Sequence, residues 1–222
     1  MIGSLCRIWG YIWLPMVGIF HTNIYEAPVE EDKQYVFVAN HISYMDIALI
    51  FQGIRTKNIR ILAKAEFGKV PIFGFLYRYA TVMVDRSSPE SRGKSIRRLK
   101  SVIEKKVSIF IYPEGTFNES NQPLKSFFDG AFRMAIETQT PLKPVLYLDS
   151  VQRLHYKSIL SLCPGKSRTV ILPEIPVEGC TLADLPVIRQ KTHDAMEACL
   201  IKYLAPDYQK EKQTIASTTT NT

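Results

Sequence analysis

Apolar residues in this chain fall into short runs that alternate with stretches of helical spacing. Gln34–Ala39 (QYVFVA), Ile59–Ala63, Thr81–Val84 (TVMV), Val107–Tyr112 (VSIFIY), Leu142–Leu148 and Thr169–Leu172 are brief and rich in β-branched and aromatic residues, which predicts strands. Between them the pattern changes period. A helix is predicted to begin near Ser43, which is a capping type. Pro71 and Gly74 punctuate the next stretch. Ser88-Pro89-Glu90 opens a further helix; in it Ile96, Leu99, Val102 and Ile103 form an apolar stripe, with Arg97, Arg98 and Lys100 off it. Helices are also predicted over Asp129–Thr138 and from about Leu185 to Leu204. The alternation predicts an α/β domain over residues 23–205, a central mixed sheet covered by helices. Residues 206–222 turn polar, end in STTTNT and are predicted to lack a fixed structure.

The first 22 residues read differently. Arg7 is the only charged side chain between Met1 and Phe20, and Ile8–Phe20 runs IWGYIWLPMVGIF. That stretch is short for a membrane span, and Gly10, Pro15 and Gly18 interrupt it. Trp9, Tyr11 and Trp13 are residue types that favour the water–lipid boundary. No small-residue cleavage site follows. The segment is expected to be a membrane-associated helix lying in the interface. A tilted or re-entrant span and a buried core helix are the other readings of the same pattern.

Composition narrows the partners. A formal charge of +7 favours anionic ones: lipid head groups, phosphorylated small molecules or nucleic acid. No nucleic-acid recognition motif accompanies the basic stretch from Arg86 to Lys106, so no nucleic-acid partner is expected. The four cysteines form no CxxC pair, and no paired-histidine motif occurs, so neither a zinc site nor any other metal is expected. Two GKS triplets, Gly93-Lys94-Ser95 and Gly165-Lys166-Ser167, are not nucleotide loops, because Ser88 and Leu160 stand where the earlier glycine is required.

Candidate chemistry gathers after the predicted strands. Asn40-His41-Ile42-Ser43-Tyr44-Met45-Asp46 follows the first. His41 and Asp46, five apart, cannot share one straight helical face, but they converge if His41 lies in the turn and Asp46 on the first helical turns. Asp46 would then fix the imidazole tautomer while the other ring nitrogen takes a proton. Taken alone, a histidine near an acid is more often structural. Tyr112-Pro113-Glu114-Gly115-Thr116 follows another strand; Gly115 permits close approach of a ligand, and Glu114 and Thr116 can bond hydroxyls. Asp85-Arg86 follows a third, and Arg86 could clamp a phosphate. Taken singly, the second cluster is also met by an ordinary turn and the third by a surface ion pair.

The ordered set resembles a known family. Asn40-His41 with Asp46, then Val84-Asp85-Arg86, then Pro113-Glu114-Gly115-Thr116, then Pro141-Leu142-Lys143-Pro144-Val145, together with Gly130-Ala131-Phe132, are similar to the motif blocks of the PlsC-type 1-acylglycerol-3-phosphate acyltransferases over about residues 35–150. The resemblance implies that His41 is the general base and Asp46 its orienting partner. Arg86 would contact the acceptor's phosphate; Glu114, Gly115 and Thr116 would line the acceptor site; Pro144 would shape the donor side. The donor would be an acyl thioester of coenzyme A or acyl carrier protein, with no resident cofactor, and the acceptor a lysophospholipid, on the cytoplasmic face of the cell membrane. One departure is visible: where the family often has Arg-Ser after Glu-Gly-Thr, this chain has Phe117-Asn118. Lys64, Lys125 or Arg133 could supply the missing cation, and a lyso-aminolipid acceptor is the alternative.

No G-x-S-x-G elbow is present and no cysteine lies near the blocks, so direct transfer in a ternary complex is expected. Outside the enzymes, a non-catalytic lipid-binding membrane protein shares the N-terminal segment and the basic charge.

Overall fold

The computed structural model describes residues 2–219 except 55, 57, 65–80, 85–96, 98, 121 and 159. Its strands are β1 (Ile19–Tyr25), β2 (Val36–Ala39), β3 (Ile59–Lys64), β4 (Thr81–Val84), β5 (Ser108–Ile111), β6 (Leu142–Tyr147) and β7 (Gly165–Ile171). They form one sheet in the order β1-β7-β6-β2-β5-β3-β4. Every neighbouring pair is parallel except β6–β7, so the sheet is mixed, as expected from the sequence.

Both faces are covered. On β2 the side chains of Val36 and Val38 enter a core with Leu99, Ile103, Phe132, Ile136, Met196 and Leu200, contributed by helical residues 99–104, α3 (Gly130–Glu137) and α5 (Leu185–Thr219). Tyr35, Phe37 and Ala39 face the other way, into a core with Leu14, Met45, Leu49 and Ile50 from α1 (Ile2–Met16) and α2 (Met45–Gly53). A strand buried on both faces shows no apolar–polar alternation, and this is why β2 and β5 read as continuous apolar runs. Gly165-Lys166-Ser167 lies in β7, an extended strand rather than a phosphate-binding loop.

Three expectations need amendment. The sequence pattern predicts no strand before Gln34, yet Ile19–Tyr25 pairs in parallel with β7 from Ile19↔Gly165 to Tyr25↔Ile171. This edge strand carries His21, Thr22 and Asn23, and its strand character comes from a partner far along the chain rather than from apolar content. The last helix does not stop near Leu204 but continues to Thr219 through a Lys-, Gln- and Glu-containing stretch of good helix formers. Ser43 is not the boundary residue of α2; that position is Tyr44, although the Ser43 hydroxyl does accept the N–H of Met45 at 2.9 Å. The helix opening predicted at Ser88-Pro89-Glu90, the punctuation at Pro71 and Gly74, and Asp85-Arg86 lie outside the described residues.

Because β2, β5 and β6 run in parallel, the residues that follow them meet at one edge of the sheet. β7 runs against β6, and β1 with β7, so the turn from α1 into β1 at Gly18 lies at that same edge. Gly18 takes a φ of 73°, which an L side chain rarely adopts, and its carbonyl accepts the N–H of Gly165 at 2.9 Å.

Candidate active site

Asn40, the first residue beyond β2, is 1% exposed. Its Nδ2 donates to the carbonyl of Tyr147 at 2.9 Å, and its Oδ1 accepts the Tyr147 N–H at 2.8 Å. This two-way bond fastens the ends of β2 and β6 together and fixes where the chain leaves the sheet toward His41.

His41 sits in the turn and Asp46 on the first turn of α2, as the spacing required. Nδ1 of His41 lies 2.9 Å from Oδ2 of Asp46. The same oxygen accepts the N–H groups of Ile42 at 2.8 Å and Ser43 at 2.9 Å, and Oδ1 accepts the hydroxyl of Ser150 at 2.5 Å. Asp46 is 0% exposed, so this carboxyl depends wholly on these four donors for what water would have supplied. With Asp46 acting as acceptor, the imidazole hydrogen is assigned to Nδ1, leaving the Nε2 lone pair open. Among the described residues no protein group bonds Nε2. The His41 side chain is 15% exposed, enough for a substrate to reach it.

Ser150 escaped the sequence reading. It lies on α4 (Ser150–Arg153), directly after β6, and is fully buried. Arg168 on β7 holds the preceding Asp149 in a two-pronged pair, Nε at 2.8 Å and an Nη at 2.6 Å from its two oxygens. The Leu148 N–H also donates to the Arg168 carbonyl, at 3.1 Å. A polar pair just past a strand is the signal that marked His41 and Glu114; applied to Asp149-Ser150 it would have found this brace.

The Glu114 carboxyl, expected at the acceptor site, turns inward and is 1% exposed. Oε1 accepts the N–H of His41 at 2.9 Å, and Oε2 accepts the N–H of Lys125 at 3.0 Å. It thereby ties the loop after β2 to the loop that follows its own strand. Burial pushes its carboxyl up to about 7, against the opposing pull of the two backbone donors. Gly115 has a φ of 75° and donates its N–H to Tyr112 at 3.1 Å, the tight turn for which a glycine is suited. Thr116 is exposed, and its hydroxyl receives Nζ of Lys125 at 2.7 Å. Nζ also lies 3.4 Å from the Phe117 carbonyl.

The imidazole is flanked by rings. Tyr112 stacks on it at 3.9 Å between centroids and 15° between planes, and Phe117 lies at 4.2 Å and 50°. Burial holds the phenols of Tyr112 and its neighbour Tyr147 well above their ordinary range, so both remain neutral.

The other expected cations fare differently. Arg133 pairs with Glu137 on α3 at 2.8 Å, on the sheet face opposite α2. Lys64 closes β3, and Arg86 lies outside the described residues. As for metal ligands, His193, Asp194 and Glu197 approach within 4.8 Å of one another, but on α5 rather than at His41.

Glu114 gives a pH dependence with a definite sign. Its folded value, about 7, is raised above the ordinary 4.5, so the folded state holds the extra proton between those values. The stabilisation is complete below about 4.5 and is lost as pH rises through about 7. The loss is on the order of 3 kcal/mol. Denaturant titrations from pH 4 to 8 should show this slope in the wild type and its absence in Glu114→Gln, whose mispaired backbone N–H adds a pH-independent offset. A parallel slope in the two proteins would refute the assignment.

A family model described as Acyltransferase matches residues 21–148. The chain is 29% identical over 194 residues to an uncharacterized acyltransferase of Schizosaccharomyces pombe, covering 85% of this chain and 67% of that protein. It is 25% identical over 174 residues to the human 1-acyl-sn-glycerol-3-phosphate acyltransferase beta, covering 78% of this chain and 62% of the relative. It is 28% identical over 196 residues to a putative 1-acyl-sn-glycerol-3-phosphate acyltransferase of Caenorhabditis elegans, covering 85% of this chain and 67% of the relative. The chain thus spans 62% to 67% of the length of these three proteins. In fold it is similar to the crystal structure of PlsC, the 1-acyl-sn-glycerophosphate acyltransferase of Thermotoga maritima, with a TM-score of 0.72 at 23% identity over 91% of this chain and 80% of that one. The family match spans more than half of the chain and takes in β2, α2, β5 and the loops that hold His41, Asp46 and Glu114, and on that ground the protein belongs to the acyltransferase family.

Proposed function

We propose that the protein is a 1-acylglycerol-3-phosphate O-acyltransferase, carrying a fatty acyl group from a thioester of coenzyme A or acyl carrier protein to the free hydroxyl of a lysophospholipid. The observation that carries this reading is the His41 imidazole bonded through Nδ1 to a fully buried Asp46, with Nε2 open. The names of the human and nematode relatives point to the phosphate-bearing acceptor.

In this mechanism the acceptor hydroxyl gives its proton to Nε2 of His41, and its oxygen attacks the thioester carbonyl. The tetrahedral adduct expels the thiolate, which recovers the proton from the imidazolium. Asp46 keeps the ring in one tautomer and stabilises its charged form throughout. No covalent acyl-enzyme is involved. The phosphate would be held by Arg86 and by Lys125. Lys125 bonds the Thr116 hydroxyl beside the Phe117 carbonyl, next to the position where the family often carries an arginine, and so takes over that cation's task.

The N-terminal helix would dock the enzyme on lipid. Helix α1 is apolar on two sides. Gly10 and Leu14 are buried, and a side chain at Gly10 would run into Gln52 of α2. Ile8, Tyr11, Ile12 and Met16 recur at helical spacing and are 57%, 54%, 58% and 78% exposed. A covered face and a bare apolar face on one helix favour the interfacial reading over a buried core helix. No helix among the described residues is long and apolar enough to cross a membrane. The turn after α1 reaches the edge of the sheet where His41 stands, so a docked α1 would bring the site to the lipid surface, and the net charge of +7 would add attraction to anionic head groups.

Four outcomes test this. Protein in mixed micelles, given an acyl-CoA and a panel of lysolipids, should release thiol and form phosphatidic acid from lysophosphatidic acid. His41→Ala should lower kcat by about 10²–10⁴-fold in a protein that remains folded; near-wild-type turnover would end the mechanism, and thiol release without an esterified product would mean a hydrolase. Lys125→Ala should raise KM for the phosphate-bearing acceptor about tenfold or more while changing kcat little; an equal loss with an uncharged acceptor would remove its assigned role. Replacing Ile8, Tyr11, Ile12 and Met16 together by serine should abolish co-sedimentation with phosphatidylglycerol vesicles, and undiminished binding would sink the docking face.

A further inference from the structure

We propose that Phe117 is a positioning residue: its ring, together with that of Tyr112, packs against the His41 imidazole and holds it in the orientation that keeps Nδ1 on Asp46 and Nε2 free for the acceptor. This rests on the acyltransferase reading of the site. It concerns the position at which the chain departs from the arginine its relatives often carry.

A single hydrogen bond from Nδ1 to Asp46 sets the ring's tautomer but leaves it free to swing about that bond. Two ring contacts restrict that freedom: Tyr112 stacks on the imidazole at 3.9 Å and 15°, and Phe117 packs against it, tilted by 50°, at 4.2 Å. Phe117 is itself braced. Tyr44, at the start of α2, meets it edge-on at 4.9 Å and 77°, and Tyr156, beyond α4, lies over it at 6.0 Å and 27°. Its carbonyl takes the long contact from Lys125, and the next N–H, that of Asn118, donates to the His41 carbonyl at 2.7 Å. Phe117 is thus packed against elements from three parts of the chain.

The ring also matches the chemistry. When His41 takes the acceptor's proton it becomes a cation in contact with two aromatic rings, and a cation beside an aromatic ring is stabilised most where water is kept away. An arginine at this position would place a like charge against that imidazolium. The chain has therefore separated two tasks. The aromatic ring at 117 serves the base, and the cation that would meet the phosphate is Lys125, whose backbone N–H is anchored to the same Glu114 carboxyl that holds the His41 N–H.

The experiment compares wild type with Phe117→Leu, Phe117→Tyr, Phe117→Trp and Phe117→Arg, all checked for unchanged Tm. Acyl transfer to lysophosphatidic acid is measured in micelles, and ¹⁵N spectra of the histidine-labelled protein report the His41 tautomer. The Leu variant should lose kcat roughly three- to thirtyfold at near-constant KM for both substrates. The Tyr and Trp variants should recover most of that loss. The Arg variant should lose kcat as Leu does, despite restoring the family's cation. In the spectra, His41 of the Leu variant should pass from one Nδ1–H form to a mixture of tautomers. An unchanged kcat in the Leu variant, an equal loss in Tyr and Leu, or full activity in Arg would overturn the proposal. A wild-type protein with no transferase activity would overturn the functional reading instead; the spectra would then still decide the clamp, which falls if the Leu variant keeps a single Nδ1–H form.

Discussion

Everything at the catalytic edge depends on satisfying one buried carboxyl. Asp46 has no access to water, and an unpaired charge in such a place costs several kcal/mol. Four donors prevent that: the His41 ring, the N–H groups of Ile42 and Ser43, and the Ser150 hydroxyl. Each comes from a segment that must be in place before the carboxyl can be buried. The backbone turn after β2, the start of α2 and the helix after β6 are consequently locked to one another.

Glu114 repeats this logic one strand away. It is buried and binds two backbone N–H groups from different loops. Unlike Asp46, it is held only at the cost of a carboxyl that favours its proton up to about pH 7. The His41 backbone is therefore pinned by Glu114 and its ring by Asp46, Tyr112 and Phe117. In the proposed mechanism a base held in this way has little orientation left to lose on reaching the transition state, which is where preorganisation contributes to rate. The exposed groups, Thr116 and the amine of Lys125, stand just outside this rigid frame, where a ligand can meet them.

Much of this was legible in the chain. The six apolar runs mark six of the seven strands among the described residues; the signal is strongest in β2, β5 and β6, which are buried on both faces. The candidate residues were found because polar clusters directly after such runs are unusual: His41 and Asp46 after β2, Glu114 after β5. The seventh strand left no such mark. Ile19–Tyr25 contains His21, Thr22 and Asn23, and at the sheet's edge its pattern lacks the burial that makes a strand recognisable. Ser150 stood in a cluster of the right kind and was overlooked, since a buried serine announces nothing until its partner is known.

Hydrophobic periodicity and turn chemistry, which act over a few residues, thus determined the α/β class and most strands, and the ordered motif blocks singled out His41 and Asp46. Tertiary structure decided which way those residues face. The Glu114 carboxyl meets a backbone group 73 residues away, Ser150 meets a carboxyl 104 residues away, and Phe117 faces the ring of His41 across a gap that no spacing rule connects. Contacts of that range depend on strand order and on the packing of loops above the sheet, and neither is encoded in any one segment. The sequence alone therefore assigns Glu114 to the substrate and treats Phe117 as a missing arginine. The fold buries the first among backbone donors and places the second against the His41 ring.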